Sequence, residues 1–191
     1  MKVVAFNGSA RKKGNTAMLL KLVLDEIKKE GIKTELIQLA GKPLQGCTAC
    51  YKCFKNKNQR CAVRKDSLND YIVKMLDADG ILLGSPTYFS DVSASMKALI
   101  ERAGMVARAN GDMFKRKVGA GVVAVRRAGS IHVFSSLNYF FLIGQMIIPG
   151  SSYWNIAIGR QPGEVMQDKE GIQTMKTLGQ NMAWLIKKIN A

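Results

Sequence analysis

From end to end the sequence alternates between short apolar runs and longer segments of helical spacing. No other feature limits its fold as much. Lys2–Phe6 is a short apolar run that stops at Asn-Gly-Ser, as a buried strand does. Thr16–Glu30 places Met18, Leu19, Leu22, Val23 and Ile27 at helical spacing and stops at Gly31. Thr34–Leu39 alternates like a second strand. After a cysteine-bearing stretch over 46–65, Ser67–Ala78 reads as a helix opened by Asp66 or Ser67. Gly80–Leu83 is a third strand ended by Gly84-Ser85-Pro86, and Val92–Met105 is helical. Val118–Val125 is a fourth strand, His132–Met146 an apolar helix, Ser152–Ile158 a fifth strand and Gln173–Ile189 the last helix.

Strands that alternate with helices give an α/β domain with a parallel sheet. Five strands in this arrangement match the flavodoxin-like, doubly wound order 2-1-3-4-5, with helices on both faces. Ligands in such sheets sit beyond the carboxyl ends of the strands, where the winding reverses. The loops after strands 1, 3 and 4 are therefore expected to line the site: 7–15, 85–91 and 126–130.

The length of 191 residues suits one domain, 1–191, with the cysteine-rich segment at about 46–65 as an insert. Hydrophobic residues at 47% can offset chain entropy, so disorder is not the main state. The longest nearly apolar run, Tyr139–Gly150, is too short to span a bilayer, and the start MKVVAFNGS lacks a signal-peptide core. These features read as a cytoplasmic protein. The net charge of +15 is uneven, with 15 Lys or Arg against 4 Asp or Glu in residues 1–65. Such a charge attracts anions: nucleic acid, phosphorylated cofactors or acidic proteins. It is equally consistent with a solvated basic surface. No nucleic-acid motif accompanies it, and the basic stretches have little aromatic interleaving, which argues against nucleic acid as the partner.

The first loop, Asn7-Gly8-Ser9-Ala10-Arg11-Lys12-Lys13-Gly14-Asn15-Thr16, combines turn-forming glycines, hydroxyls and an arginine ahead of a helix N-terminus. That reads as a phosphate cradle, the alternative being a polar loop with an ordinary helix cap. It is neither GxxxxGK[ST] nor GxGxxG, and no acidic residue follows strand 2 to hold a ribose. In the second loop, Ser85-Pro86-Thr87-Tyr88-Phe89-Ser90, an aromatic pair after a proline turn offers a flat wall for a planar heterocycle such as a flavin ring. It would serve equally as packing for the next helix. In the third, Arg126-Arg127-Ala128-Gly129-Ser130 would favour negative charge on a bound ligand, or be plain surface arginine.

The four cysteines fall within fifteen residues, as Cys47-x2-Cys50-x2-Cys53-x7-Cys61. In a cytoplasmic chain that clustering points to metal or redox work. Three thiolates two residues apart and a fourth close by can wrap a [4Fe–4S] cubane. A zinc site more often has separated CxxC pairs or histidines, and free thiols or a reversible disulfide remain alternatives. Residues 41–65 also hold Lys42, Lys52, Lys55, Lys57, Arg60, Arg64 and Lys65 without one acidic residue, and such cations would stabilise an anionic cluster.

Together, NGSARKKGNT, SPTYFSDVSASMKALIER and the cysteine segment resemble the NADPH-dependent FMN reductase superfamily, and within it the iron–sulfur flavoproteins. The resemblance implies tightly bound FMN, homo-oligomers (dimers or tetramers) in which a neighbouring subunit completes the flavin site, and electron transfer from NAD(P)H or ferredoxin to quinones, other acceptors or an internal cluster. Carried over by position, Ser9, Arg11, Asn15 and Thr16 would hold the FMN phosphate. Pro86, Thr87, Tyr88 and Phe89 would face the ring and ribityl chain, with Ser90 near the ring's polar edge. Cys47, Cys50, Cys53 and Cys61 would hold the cluster, while Arg126 is expected at the ring's anionic edge on its charge alone. The third loop departs from the pattern, because Arg126 and Arg127 stand where many relatives are glycine-rich. The implied function is an FMN-dependent NAD(P)H oxidoreductase; the alternative is a non-catalytic electron carrier of flavodoxin type. With the flavin carrying the redox chemistry, no catalytic acid or base is required of the side chains. His132 reads as structural, since no GxSxG elbow accompanies it. Trp154, in the fifth strand, and Trp184, in the last helix, read as core or subunit interface, and the ten methionines as core filler.

Overall fold

A computed structural model describes residues 1–41 and 43–191; Lys42, counted above among the cations of the cysteine segment, lies outside the described residues. Five parallel strands form one sheet in the order β2-β1-β3-β4-β5, as the alternation of elements predicts. They are β1 (Lys2–Asn7), β2 (Lys33–Gln38), β3 (Gly80–Pro86), β4 (Val118–Val125) and β5 (Ile156–Ile158). The helices are α1 (Asn15–Lys29), α2 (Lys52–Asn56), α3 (Leu68–Asp77), α4 (Ala94–Ala109), α5 (Ser130–Ile143) and α6 (Lys169–Ile189).

The two-residue period of the strands sends alternate side chains to opposite faces, and two cores result. Val3, Ala5 and Leu82 pack with Leu20 and Val23 of α1 and with Leu178 and Met182 of α6. Val4, Phe6 and Leu83 pack with Ile72 of α3, Leu99 of α4 and Leu137 of α5. The central strands β1, β3 and β4 are buried on both faces and read as continuous apolar runs for that reason. At Gly84 a Cβ would lie 2.6 Å from Leu20 Cδ1, so only glycine lets α1 approach β3 this closely and bring its N-terminus over the sheet edge.

Several element ends differ from the sequence reading. β3 continues to Pro86 because Ser85 and Pro86 still pair with Val123 and Ala124. β5 has only three residues, since β4 offers it partners only at Val123–Val125. Ser151 Oγ meanwhile draws the preceding segment into a turn, bonding the Tyr153 carbonyl at 2.5 Å and Asn155 Oδ1 at 2.6 Å. Trp154 therefore precedes β5. α6 begins four residues earlier than its apolar spacing indicates, because Asp168 caps it by accepting from the Gly171 N–H at 2.9 Å. α2 has no counterpart in the sequence reading, being too short to show a period. Trp154 and Trp184 are both exposed, which overturns a core position for either. Among the described residues no helix is long and apolar enough to cross a membrane.

Candidate functional site

The carboxyl ends of the strands are tied together by side-chain hydrogen bonds. Asn7, the last residue of β1, accepts from the Ser9 N–H at 3.0 Å and donates to Gln38 Oε1 at 2.7 Å; Gln38 donates on to the Ser9 carbonyl at 2.6 Å. Ser9 Oγ accepts from the Arg11 N–H at 3.1 Å. The chain then enters α1 through Gly14, with no side-chain cap and no acidic residue in the first turn. The first N–H groups of α1 are left with their partial positive charge facing the loop.

Above this loop lies a cavity of about 230 Å³. Ser9, Arg11, Asn15 and Thr16 line it from the first loop, and Pro86, Thr87 and Tyr88 from the second. Arg126 enters from the end of β4 beside Ala124. A shallower hollow of about 350 Å³ adjoins it, sharing Thr87 and Arg126 and adding Arg127. Eight of the ten residues expected to meet the cofactor thus gather at one place. Ala124, Gly159 and Arg160 also line it and were not foreseen; the rule that ligands sit where the winding reverses points to the loops after β1, β3 and β4, whereas Gly159 and Arg160 follow β5.

The contributions differ in kind. The Asn15 side chain is engaged as a brace, donating to the Gly159 carbonyl at 3.0 Å and accepting from the Gly163 N–H at 2.8 Å. It fixes the loop after β5 against α1, and what it offers the cavity is backbone. Thr87 Oγ1 is buried without a hydrogen-bond partner, although the Thr87 N–H is satisfied by the Ala124 carbonyl at 2.9 Å. A buried hydroxyl without a partner is costly unless something else supplies one.

Phe89 and Ser90 lie outside the cavity. They form the corner of a two-residue turn in which Tyr88 and Asp91 exchange backbone hydrogen bonds, both at 3.0 Å. Both adopt positive φ, 48° and 62°, a conformation that a turn of this kind demands and that glycine or asparagine adopts more easily. Phe89 consequently projects fully into solvent, and Ser90 packs against Gly129 of the third loop. Of the second loop, Pro86, Thr87 and Tyr88 line the cavity and Phe89 does not. Ser93 anchors this loop to the first: its Oγ donates to the Gly8 carbonyl at 2.6 Å, its N–H donates to Ser85 Oγ at 3.0 Å, and the same Oγ caps α4. The Val92 N–H, followed by burial, His132 and Ser136, governs the Asp91 carboxyl and leaves it below the usual carboxylate range. His132 lies 3.6 Å from Asp91 and is well exposed.

The cysteine segment is built otherwise. It contains no strand, and its one element is α2, entered through Tyr51 and left through Lys57, both left-handed. Ala49 and Gln59 are left-handed too. All four cysteines, Cys47, Cys50, Cys53 and Cys61, line one small cavity backed by Arg102. Side chains from α3, α4 and the turn after α4 hold the segment. Glu101 accepts from the Cys47 N–H at 3.2 Å, and Asn110 accepts from the Gln59 N–H at 2.9 Å. Asn69 grips Cys61 by both backbone groups, at 2.8 and 3.1 Å. The Lys52 N–H and the Thr48 hydroxyl hold the exposed Cys50 thiol below the usual thiol range, while burial pushes Cys53 up. Among the described residues no group of three or more His, Cys, Asp or Glu is placed to hold a metal ion.

The family described as NADPH-dependent FMN reductase matches residues 1–161. The chain belongs to that family. It is 37% identical over 99% of its length to an iron-sulfur flavoprotein of Methanocaldococcus jannaschii, covering 99% of that protein. It is 35% identical over 92% of its length to an iron-sulfur flavoprotein of Archaeoglobus fulgidus, covering 86% of that one. A solved NAD(P)H:quinone oxidoreductase from Methanothermobacter marburgensis shares the fold, with a TM-score of 0.71 at 13% identity over 95% of this chain and 98% of that one. Family membership makes the protein an FMN oxidoreductase on a flavodoxin-like sheet.

Proposed function

We propose that the chain is a cytoplasmic FMN-dependent NAD(P)H oxidoreductase, one domain over 1–191, that takes electrons from NAD(P)H or a reduced carrier such as ferredoxin. It passes them to a quinone, another small molecule or a protein. The observation that carries this reading is the cavity at the sheet's carboxyl edge. Its base is an uncapped, acid-free helix N-terminus, its rim holds Arg11, Arg126 and Arg160, and its wall carries the unpartnered Thr87 hydroxyl. A flavin mononucleotide matches this in parts: phosphate at the helix end and arginines, polar ribityl chain or ring edge at Thr87, ring against Pro86 and Tyr88. Bound there, FMN supplies the redox chemistry. The protein's own residues bind it, orient it and set the charge around it.

In the same reading, Cys47, Cys50, Cys53 and Cys61 hold a [4Fe–4S] cluster. A cubane binds each thiolate through a different iron, so its ligands ring a shared space instead of meeting at a point. Four thiols around one cavity suit that geometry. The printed names of the relatives support it. The exposed Lys52, Lys55, Lys57 and Arg60 beside the cysteines form the face for an acidic carrier.

A second copy of the chain belongs on the opposite kind of surface. Between Arg127 and Arg160 there is no Lys, Arg, Asp or Glu. Tyr139, Leu142, Ile143, Tyr153 and Trp154 are exposed within that stretch, and Leu142, Tyr153 and Trp154 line an apolar cavity of about 470 Å³. In a chain of net charge +15, this neutral face is where two copies meet with least repulsion. A Leu142→Glu variant should sediment as a smaller species than the parent; unchanged sedimentation would assign the face elsewhere.

The deciding experiment is anaerobic purification with measurement of flavin, iron, sulfide and NAD(P)H turnover against a quinone. FMN near one per chain, with iron and sulfide near four each, is the expected result. A flavin-free chain that also fails to take up added FMN overturns the reading; zinc, or no metal, removes the cluster alone. Fast reduction by ferredoxin with no pyridine-nucleotide turnover favours the non-catalytic carrier.

A further inference from the structure

The buried face of α4 carries one residue that apolar packing does not explain. Arg102 is 1% exposed. Its guanidinium has five N–H donors and remains charged throughout the working pH range. All five are used. Nη1 donates to the Gln45 carbonyl at 3.0 Å and to the Asp66 carboxylate, and Nη2 donates to the Val63 carbonyl at 3.1 Å. The last two donors, on Nε and Nη2, both end on Cys61 Sγ, each at 3.4 Å.

This fork has a direction. Asp66 and the two carbonyls hold the guanidinium from other sides, and Asp66 is itself held by the N–H groups of Gln45 at 3.3 Å and Leu68 at 3.2 Å. Asn69 grips Cys61 from its backbone side. The cation and the sulfur are thus each fixed independently and aimed at each other. A neutral thiol is a weak acceptor and repays little of the cost of burying a cation beside it. A thiolate, the form that binds iron, is the acceptor that two charged N–H groups match.

We propose that Arg102 is a positioning residue for the cysteine site: its two N–H groups fix the place of the Cys61 sulfur as a cluster ligand, and its charge raises the reduction potential of the cluster bound there. The inference rests on the reading that the four cysteines hold an iron–sulfur cluster. One-electron reduction of such a cluster adds a unit of negative charge. Cations and N–H···S bonds at the sulfur favour the reduced state. Asp66 offsets part of the effect, but it meets the guanidinium at a different nitrogen, whereas the fork touches the sulfur itself.

The test is the midpoint potential of the cluster, read by electron paramagnetic resonance during anaerobic titration with dithionite, in the parent, Arg102→Gln, Arg102→Lys and Asp66→Asn. FMN and iron content are measured on the same samples. The parent first decides the underlying reading, because a parent without iron and sulfide removes the cluster and this inference with it. With the cluster present, Arg102→Gln should lower the equilibrium constant for reduction at least tenfold, about 59 mV for one electron. Arg102→Lys, which keeps the charge but loses the fork, should fall between it and the parent. Asp66→Asn should move the potential the other way, upward. An unchanged potential in Arg102→Gln with iron retained means that Arg102 only braces the loop, and overturns the proposal. Should the Arg102 variants lose iron or fail to fold, Asp66→Asn decides: an upward shift supports the proposal, and no shift or a downward one overturns it.

Discussion

The proposed flavin cradle and the cysteine segment sit on the same scaffold but draw their shape from different sources. The cradle is made where buried strands end. It sits at strand ends and a helix N-terminus, its glycines let neighbouring elements close in, and its braces, Asn7, Asn15 and Ser93, have partners within the sheet's own loops. The cysteine segment has no ladder. Left-handed residues bend it around its cavity, and it depends on Asn69, Glu101, Arg102 and Asn110 from the outside. One site is pre-formed by the fold; the other is propped by side chains and, in the proposed reading, closed by its own metal. α4 joins them, since the Ser93 that caps it also binds the first loop while Glu101 and Arg102 reach the cysteines.

The largest expected effect separates the two outright. Cys53→Ser should abolish iron and sulfide incorporation while leaving FMN content and the denaturation midpoint of the sheet nearly unchanged. Hydrogen exchange over 46–65 should rise by an order of magnitude or more, because local opening is no longer opposed by the metal. Equal loss of flavin would show that the cradle also depends on the cluster.

Next in size is Gly8→Ala. A Cβ there would meet Ser93 Oγ at 2.8 Å, Met96 Cβ at 3.0 Å and the Gly84 carbonyl at 3.1 Å, none of which can move without shifting the loop or α4. Overpacking of this kind costs about 1–3 kcal/mol, and chemical denaturation should show it together with weaker FMN binding. Because α4 serves both sites, iron content should fall less than flavin affinity; a reversed order would mean that the strut, and not the cradle, bears the strain.

What could be read from the sequence follows the same division. The alternation of strand and helix gave the sheet order, and the switch-point rule with the loop chemistry gave Ser9, Arg11, Thr16, Thr87, Tyr88 and Arg126 at one cavity. Backbone conformation was hidden. Nothing in Phe89-Ser90 announces positive φ, since neither residue favours it, and the turn therefore carries Phe89 away from the wall assigned to it. The bracing role of Asn15 depends on a loop 144 residues away, a separation that no local pattern encodes. The cysteine spacing was legible, but the contacts of Arg102 were not, because its partners come from four separate places in the loop.

Thr87→Val probes the cradle with two readouts of opposite sign. The hydroxyl is buried and unpartnered, so its removal should leave the flavin-free chain as stable or slightly more so. If FMN is what satisfies it, affinity should fall about tenfold, the value of one hydrogen bond of about 1.4 kcal/mol. Equal affinity would place the cofactor's polar groups elsewhere on the wall.

The smallest effect concerns the second loop's turn. The Asp91 carboxyl accepts from the Val92 N–H at 2.7 Å and lies below its ordinary range, so the folded loop favours its ionised form. For a depressed carboxyl the stabilisation is complete above the unfolded-state value, near 3.9, and is lost as pH falls through the lower folded value. Resistance of the chain to chemical denaturation should therefore be level from neutral pH down to about 5 and lose this carboxyl's share only below about 4. Because Asp91 is half exposed, that share should change the folding equilibrium no more than about twofold. Asp91→Asn keeps an oxygen for Val92 and carries no charge to lose, so comparing denaturation midpoints of the two proteins between pH 3.5 and 6 isolates the contribution. Parallel curves would leave the turn's carboxylate without a part in the acid sensitivity of the fold.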